Sequence, residues 1–106
     1  MVYNVTSGEV SPGQMDGAVD WIKRFYGYVK KTYGVQIQWM QPVTPAPGQA
    51  RRILIIQSFD SLTAWGSHKE KCAKDPQRNE FLREAEEKQY MAPNSNTITL
   101  YTVTTV

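Results

Sequence analysis

Between positions 15 and 33 the apolar residues Met15, Val19, Ile22, Tyr26, Val29 and Tyr33 recur at intervals of 4, 3, 4, 3 and 4. At about 100° per residue this spacing keeps them in one narrow stripe, which predicts an amphipathic helix with a single dry face. Gly34 follows, where a left-handed cap is favoured, and Lys30 and Lys31 lie beside the helix's negative end. Such a helix needs a cover, and the segments on either side change to the period of a strand.

Residues 2–10, VYNVTSGEV, are rich in β-branched and aromatic types, with Val2, Asn4 and Thr6 on one side and Tyr3, Val5 and Ser7 on the other. The stretch VQIQWMQ at 35–41 alternates in the same way, setting Val35, Ile37 and Trp39 against Gln36, Gln38 and Met40. Three prolines in PVTPAPGQA at 42–50 remove backbone donors and fix φ, so this segment is a loop between strands. RRILIIQSF at 51–59 has an unbroken apolar middle and predicts a central strand covered on both faces. Asp60 or Ser61 then caps a helix, and Asp75–Pro76 begins another whose inner face is Phe81, Leu82 and Ala85. NSN at 94–96 ends the helical region, and TITLYTVTTV at 97–106 closes the sequence as a strand of β-formers.

The order β-α-β-β-α-β, with the second helical region broken in two, predicts an α+β structure of ferredoxin-like type: a four-stranded antiparallel sheet with helices on one face. At 106 residues the chain is expected to be a single domain, 1–106. The sheet's other face takes Val5, Leu54, Ile56, Tyr101 and Val103 or their alternates, an apolar surface that a second copy of the chain would bury through a two-fold axis. The expected assembly is a homodimeric α/β barrel. Trp21 and Tyr28 lie off the main stripe of the first helix and are read either as part of that pairing or as half-exposed aromatics.

A formal charge of +2, with acidic and basic residues interspersed, gives no field that would recruit nucleic acid or an anionic membrane. An RNA-recognition module shares this element order but needs aromatics at alternate positions of the third strand, where this chain has aliphatics. The longest apolar run is Ile53–Ile56, far short of the ~20 residues of a membrane helix. One cysteine allows no internal disulfide, and the first ten residues lack the basic start and apolar core of a signal peptide, so the cytoplasm is the expected location.

His68 and Cys72, the single histidine and the single cysteine, stand one helical turn apart in SFDSLTAWGSHKEKCAKDP at 58–76. Both ligate zinc, but with only Glu70 or Asp75 to complete a set the pair predicts no metal site. As a nucleophile Cys72 would need a lowered pKa; its alignment with Leu62 and Trp65 instead predicts a small packing residue. His68 falls at the edge of that stripe, and two readings stay open: a single structural hydrogen bond, or a general base that takes or holds a proton. Glycine-rich phosphate loops and paired catalytic carboxylates are absent, and nothing in the residues asks for a cofactor.

The element order, the SPGQMDGAVDWIKRFY passage from strand to helix and the segment SFDSLTAWGSHKEKCAKDPQRNEFLREAEE resemble the dimeric α/β-barrel superfamily, which includes the antibiotic-biosynthesis monooxygenases, NIPSNAP-like proteins and stress-responsive barrel proteins. In the oxygenase branch an asparagine on strand 1 and a tryptophan near helix 2 line a cleft where an aromatic substrate or haem reacts with oxygen. The resemblance thus implies that Asn4 orients a ligand, that Trp65, with Trp39, forms an apolar wall, and that a small aromatic compound is the partner. Where haem-degrading members carry a histidine about ten residues after that tryptophan, this chain has Asp75. The alternative is a dimeric binding or stress-related module without chemistry.

Overall fold

The computed structural model describes residues 1–103. Strand β1 (Val2–Glu9) is central, paired antiparallel with β3 (Arg52–Phe59) on one side and β4 (Thr97–Thr102) on the other. Strand β2 (Gln36–Met40) adds to the outer edge of β3, giving the order β2-β3-β1-β4. This is the ferredoxin-like α+β arrangement that the sequence predicts. Residues 104–106, expected to continue the last strand, lie outside the described residues.

Register fixes what each sheet face carries. Asn4 opposes Gln57 and Leu100, and Thr6 opposes Ile55 and Ile98, so these residues share the helix-covered face with Val2, Gly8, Ile53 and Phe59. Tyr3, Val5, Leu54, Ile56, Met40 and Tyr101 stand on the opposite face, which no helix covers.

Helix α1 (Met15–Tyr33) buries Ala18, Trp21, Ile22, Phe25 and Val29, and ends at Gly34 in the left-handed conformation with φ 68°. The buried band is wider than the stripe read from spacing and is shifted towards Trp21 and Phe25. Its cause is a second neighbour: α1 packs on the sheet and on α3 (Pro76–Lys88) at once. Trp21, 7% exposed, stacks on Phe25 at 5.0 Å and donates its indole N–H to the Phe81 carbonyl at 2.9 Å, so it is a core residue and not a surface aromatic. Arg24 of α1 grips Glu84 of α3 with two nitrogens at 2.8 and 2.5 Å, and the Tyr90 hydroxyl donates to the same carboxylate at 3.0 Å.

Helix α2 (Leu62–Ala73) starts at Ser61, whose hydroxyl accepts from the Ala64 amide, and Asp75 caps α3 by accepting from the Gln77 and Arg78 amides. The segment after α3 is tied back to β1: Ser11 N–H donates to Tyr90, and Ala92 N–H to Glu9. It crosses directly over Gly8, where a Cβ would lie 2.3 Å from Asn96 Oδ1 and 2.5 Å from Met91 Cε. A side chain at Gly8 would have to push the ends of Asn96 and Met91 aside.

Every described residue of β4 is exposed, although the sequence offers almost nothing but β-formers there. The strand is a sheet edge, and the helices lie over β1 and β3 rather than over it.

Candidate functional site

The inward side chains of β1 shrink along the strand, from Asn4 through Thr6 to Gly8, while α3 rests chiefly on α1 and buries none of its own residues fully. Small residues below and a raised helix above leave a cavity of about 560 Å³ between sheet and helices. Its floor is Asn4, Thr6 and Gly8 of β1 with Ile53, Ile55 and Gln57 of β3. Ile22, Phe25, Tyr26 and Val29 of α1 form one wall, Leu82 and Ala85 of α3 the roof, and His68 and Cys72 of α2 one end. Exposed Asn94, Asn96 and Ile98 mark the mouth at the β4 edge, where Ile98 is 60% exposed.

Polar groups gather at the α2 end. Asn4 is buried, accepts the Trp65 indole N–H at 3.2 Å and donates to Gln57 Oε1 and Thr6 Oγ1 at 3.5 Å each. The amide is therefore held in one orientation by strand and helix together. His68 is buried, set between the Phe59 ring at 5.1 Å and the Tyr33 edge at 5.2 Å, with its Nε2 3.3 Å from Cys72 Sγ. Burial, reinforced by the charges of Lys69, Arg78 and Lys71, holds the imidazole below its ordinary pKa. Burial pushes the Cys72 thiol up. The two groups thus meet as a neutral imidazole and a neutral thiol, the reverse of the ion pair a cysteine nucleophile needs. Tyr26, half-buried on the cavity wall, is pushed up to about 12 by desolvation.

Asp75 is committed elsewhere. Tyr28 and Tyr33 donate to its Oδ2 at 2.7 and 2.5 Å, while Oδ1 accepts from two backbone amides of α3. Those donors, the Tyr33 and Tyr28 hydroxyls foremost, hold its carboxyl below the usual range. Asp75 is thus a junction joining α1, α2 and α3. Among the described residues, no group of three or more His, Cys, Asp or Glu side chains is placed to hold a metal ion.

Of the residues singled out in the sequence, Asn4 and His68 line the cavity. Trp65 stands behind Asn4 rather than on the cavity surface, and Trp39, on β2 beside Ile55, lies outside it. Leu62 is 59% exposed, so α2 packs on His68 and Cys72 and not along the Leu62, Trp65, Cys72 stripe. Arg78, Gln57 and Thr6 are cavity residues that spacing did not single out: their placement comes from strand register and from the packing of α3 on α1, which no local pattern reports.

No protein-family model matches this sequence, and no curated protein matches it. Its fold is shared with solved structures. A NIPSNAP domain protein from Burkholderia xenovorans superposes with a TM-score of 0.78 at 10% identity, over 98% of this chain and 95% of that one. A NIPSNAP family protein from Agrobacterium tumefaciens gives 0.75 at 10%, covering 97% and 92%. A proposed antibiotic biosynthesis monooxygenase from Deinococcus radiodurans gives 0.70 at 13%, covering 100% and 95%. The chain has the ferredoxin-like fold of the NIPSNAP and antibiotic biosynthesis monooxygenase-type proteins, across nearly its whole length.

Proposed function

We propose that this chain binds a small aromatic molecule in the cavity between sheet and helices and oxidises it without a cofactor, in the manner of a monooxygenase. The carrying observation is the cavity: about 560 Å³, with apolar walls and a few fixed polar groups at one end. Small-molecule sites typically measure roughly 300–1,000 Å³ and are built this way. His68, kept neutral by burial, is the group that takes a proton from an acidic ring C–H. The fixed Asn4 amide orients the ligand's oxygen. The electron-rich anion then reacts with dioxygen: a ring methylene becomes a carbonyl, one oxygen atom entering the product and the other leaving with both hydrogens as water.

A second reading, a binding module without chemistry, is favoured by one specific contact. His68 Nε2 already faces Cys72 Sγ at 3.3 Å, and among the described residues its ring nitrogens have no other hydrogen-bond partner. Oxygen uptake by the purified protein with a panel of polycyclic phenols and anthrones decides between the two. Uptake that disappears in His68→Gln while binding persists supports the enzyme. Binding without uptake supports the module, and a panel in which nothing binds removes both.

The protein is further proposed to act as a homodimer in the cytoplasm. Tyr3, Val5, Leu54, Ile56, Met40 and Tyr101 form an apolar sheet face left open by the helices, and a second copy covers like with like. The lone, buried Cys72 suits a reducing compartment. No helix among the described residues is long and apolar enough to cross a membrane. Sedimentation at micromolar concentration should give a dimer, and Ile56→Lys a monomer; a monomeric wild type would overturn the assembly.

A further inference from the structure

The cavity also carries a charge that no carboxylate among the described residues neutralises. Arg78, in the first turn of α3, is half-buried and lines the cavity wall next to the polar end. Among the described residues its guanidinium enters no salt bridge, unlike Arg24, Arg51 and Arg83, each of which holds a carboxylate. Its charge reaches His68, Cys72 and Tyr26, three side chains on two other elements that face the same space. Lys69 of α2 lines the cavity as well and is likewise without an acidic partner among the described residues. The one carboxylate on the lining, Glu86, stands two helical turns further along α3, about 12 Å away at 1.5 Å per residue. One end of the cavity is therefore cationic, the other anionic, with apolar surface between.

Resting on the reading of the cavity as a small-molecule site, we propose that its occupant is an aromatic acid: a flat apolar body along α1 and the sheet, with a carboxylate or other oxyanion seated on Arg78. A guanidinium offers a planar pair of donors that matches an oxyanion in two bonds at once, and partial burial makes such a pair stronger than one at the open surface. Glu86 sets the direction by repelling the same group from the opposite end. The product of the neutral Asn4 and His68 end is orientation, and Arg78 supplies the selection for charge.

Fluorescence titration with two matched probes tests this: 8-anilinonaphthalene-1-sulfonate, and N-phenyl-1-naphthylamine, which has the same rings and no charge. Wild type should bind the sulfonate at least tenfold more tightly than the neutral probe. Arg78→Met should weaken the sulfonate tenfold or more and leave the neutral probe within about twofold, while Arg78→Lys, with charge but no fork, falls between. Equal affinities in wild type, or a sulfonate that binds Arg78→Met unchanged, overturn the inference while leaving the cavity reading intact. Failure of both probes to bind overturns the cavity reading and the inference together. A near-ultraviolet circular dichroism spectrum shared by wild type and variants shows that any loss arises at the site and not from unfolding.

Discussion

Helix α1 contains two interior glycines, and the same substitution at each should have opposite signs. Alanine in place of glycine inside a helix gains about 1 kcal/mol of intrinsic propensity. At Gly27 a new Cβ would meet nothing within 4 Å, so Gly27→Ala should keep that gain. At Gly17 the Cβ would come 2.8 Å from Cε1 and 3.4 Å from Cδ1 of Tyr90. That ring cannot swing aside freely. It is buried, packs on Trp21 at 6.4 Å, and its hydroxyl is bonded to Glu84 at 3.0 Å. Forcing a methyl into such a contact costs roughly 1–3 kcal/mol, which cancels or exceeds the propensity gain. The two variants should therefore differ by about 1–3 kcal/mol, with Gly27→Ala above wild type and Gly17→Ala at or below it. Urea melts followed by circular dichroism, at one fixed protein concentration because assembly contributes to apparent stability, read the difference directly. In heat melts each kcal/mol corresponds to about 4–8 °C for a chain of this size. Gly17→Ala as stable as Gly27→Ala would show that Tyr90 is not seated against α1 and would refute the packing of the α3 terminus described above. Combining Gly17→Ala with Tyr90→Leu should recover part of the loss through a favourable coupling.

Asn4→Leu deprives the Trp65 indole of its acceptor and should cost about 1–3 kcal/mol in urea melts, with a shifted tryptophan emission spectrum; an unaltered spectrum would place the indole elsewhere. His68 has its folded pKa held below the ordinary value of about 6.5, so the unfolded chain takes up the proton first, and stability should fall as pH drops from 7 towards 5. His68→Phe, which keeps a ring between Phe59 and Tyr33, should flatten that slope; an equal slope in the variant assigns it to another group. Asp75, held low by its tyrosines, contributes stability that is lost only as pH falls through its lowered folded value, beneath the histidine window. The Cys72 thiol, buried and pushed up, should react slowly with an aromatic disulfide at pH 7.5 in the native protein and promptly in urea; rapid native labelling would contradict its burial.

Where a segment meets a packing layer on one side only, its sequence period is a faithful guide. Alternation in β1 separates Asn4 from Val5, and the register adds Ile53 and Ile55 to the first face and Leu54 and Ile56 to the second, which the unbroken apolar run of β3 leaves open. The period misleads where a segment has two neighbours: Met15 to Tyr33 marks the sheet side of α1, but Trp21 and Phe25 answer to α3, and a single stripe leaves no room for that. In α2 the stripe through Leu62 fails: Leu62 remains 59% exposed, and the helix buries His68 and Cys72 instead. The capping signals at Ser61, Asp75 and Gly34 were legible because a cap is satisfied within a few residues. Arg78 was not legible as a cavity residue. An arginine in the first turn of a polar helix has the same local pattern whether it faces solvent or a cavity, and only the packing of α3 decides.

Strand β4 has a further consequence, for behaviour in concentrated solution. Among the described residues no strand pairs with its outer rim, and the sequence from Thr97 onward contains no lysine, proline or acidic residue to discourage a visitor. Natural sheets usually blunt such rims with charge, brevity or bulges, since an undefended one accepts another strand edge to edge and can continue into fibrils. Whatever covers this rim thus protects the colloidal stability of the protein as well as its shape.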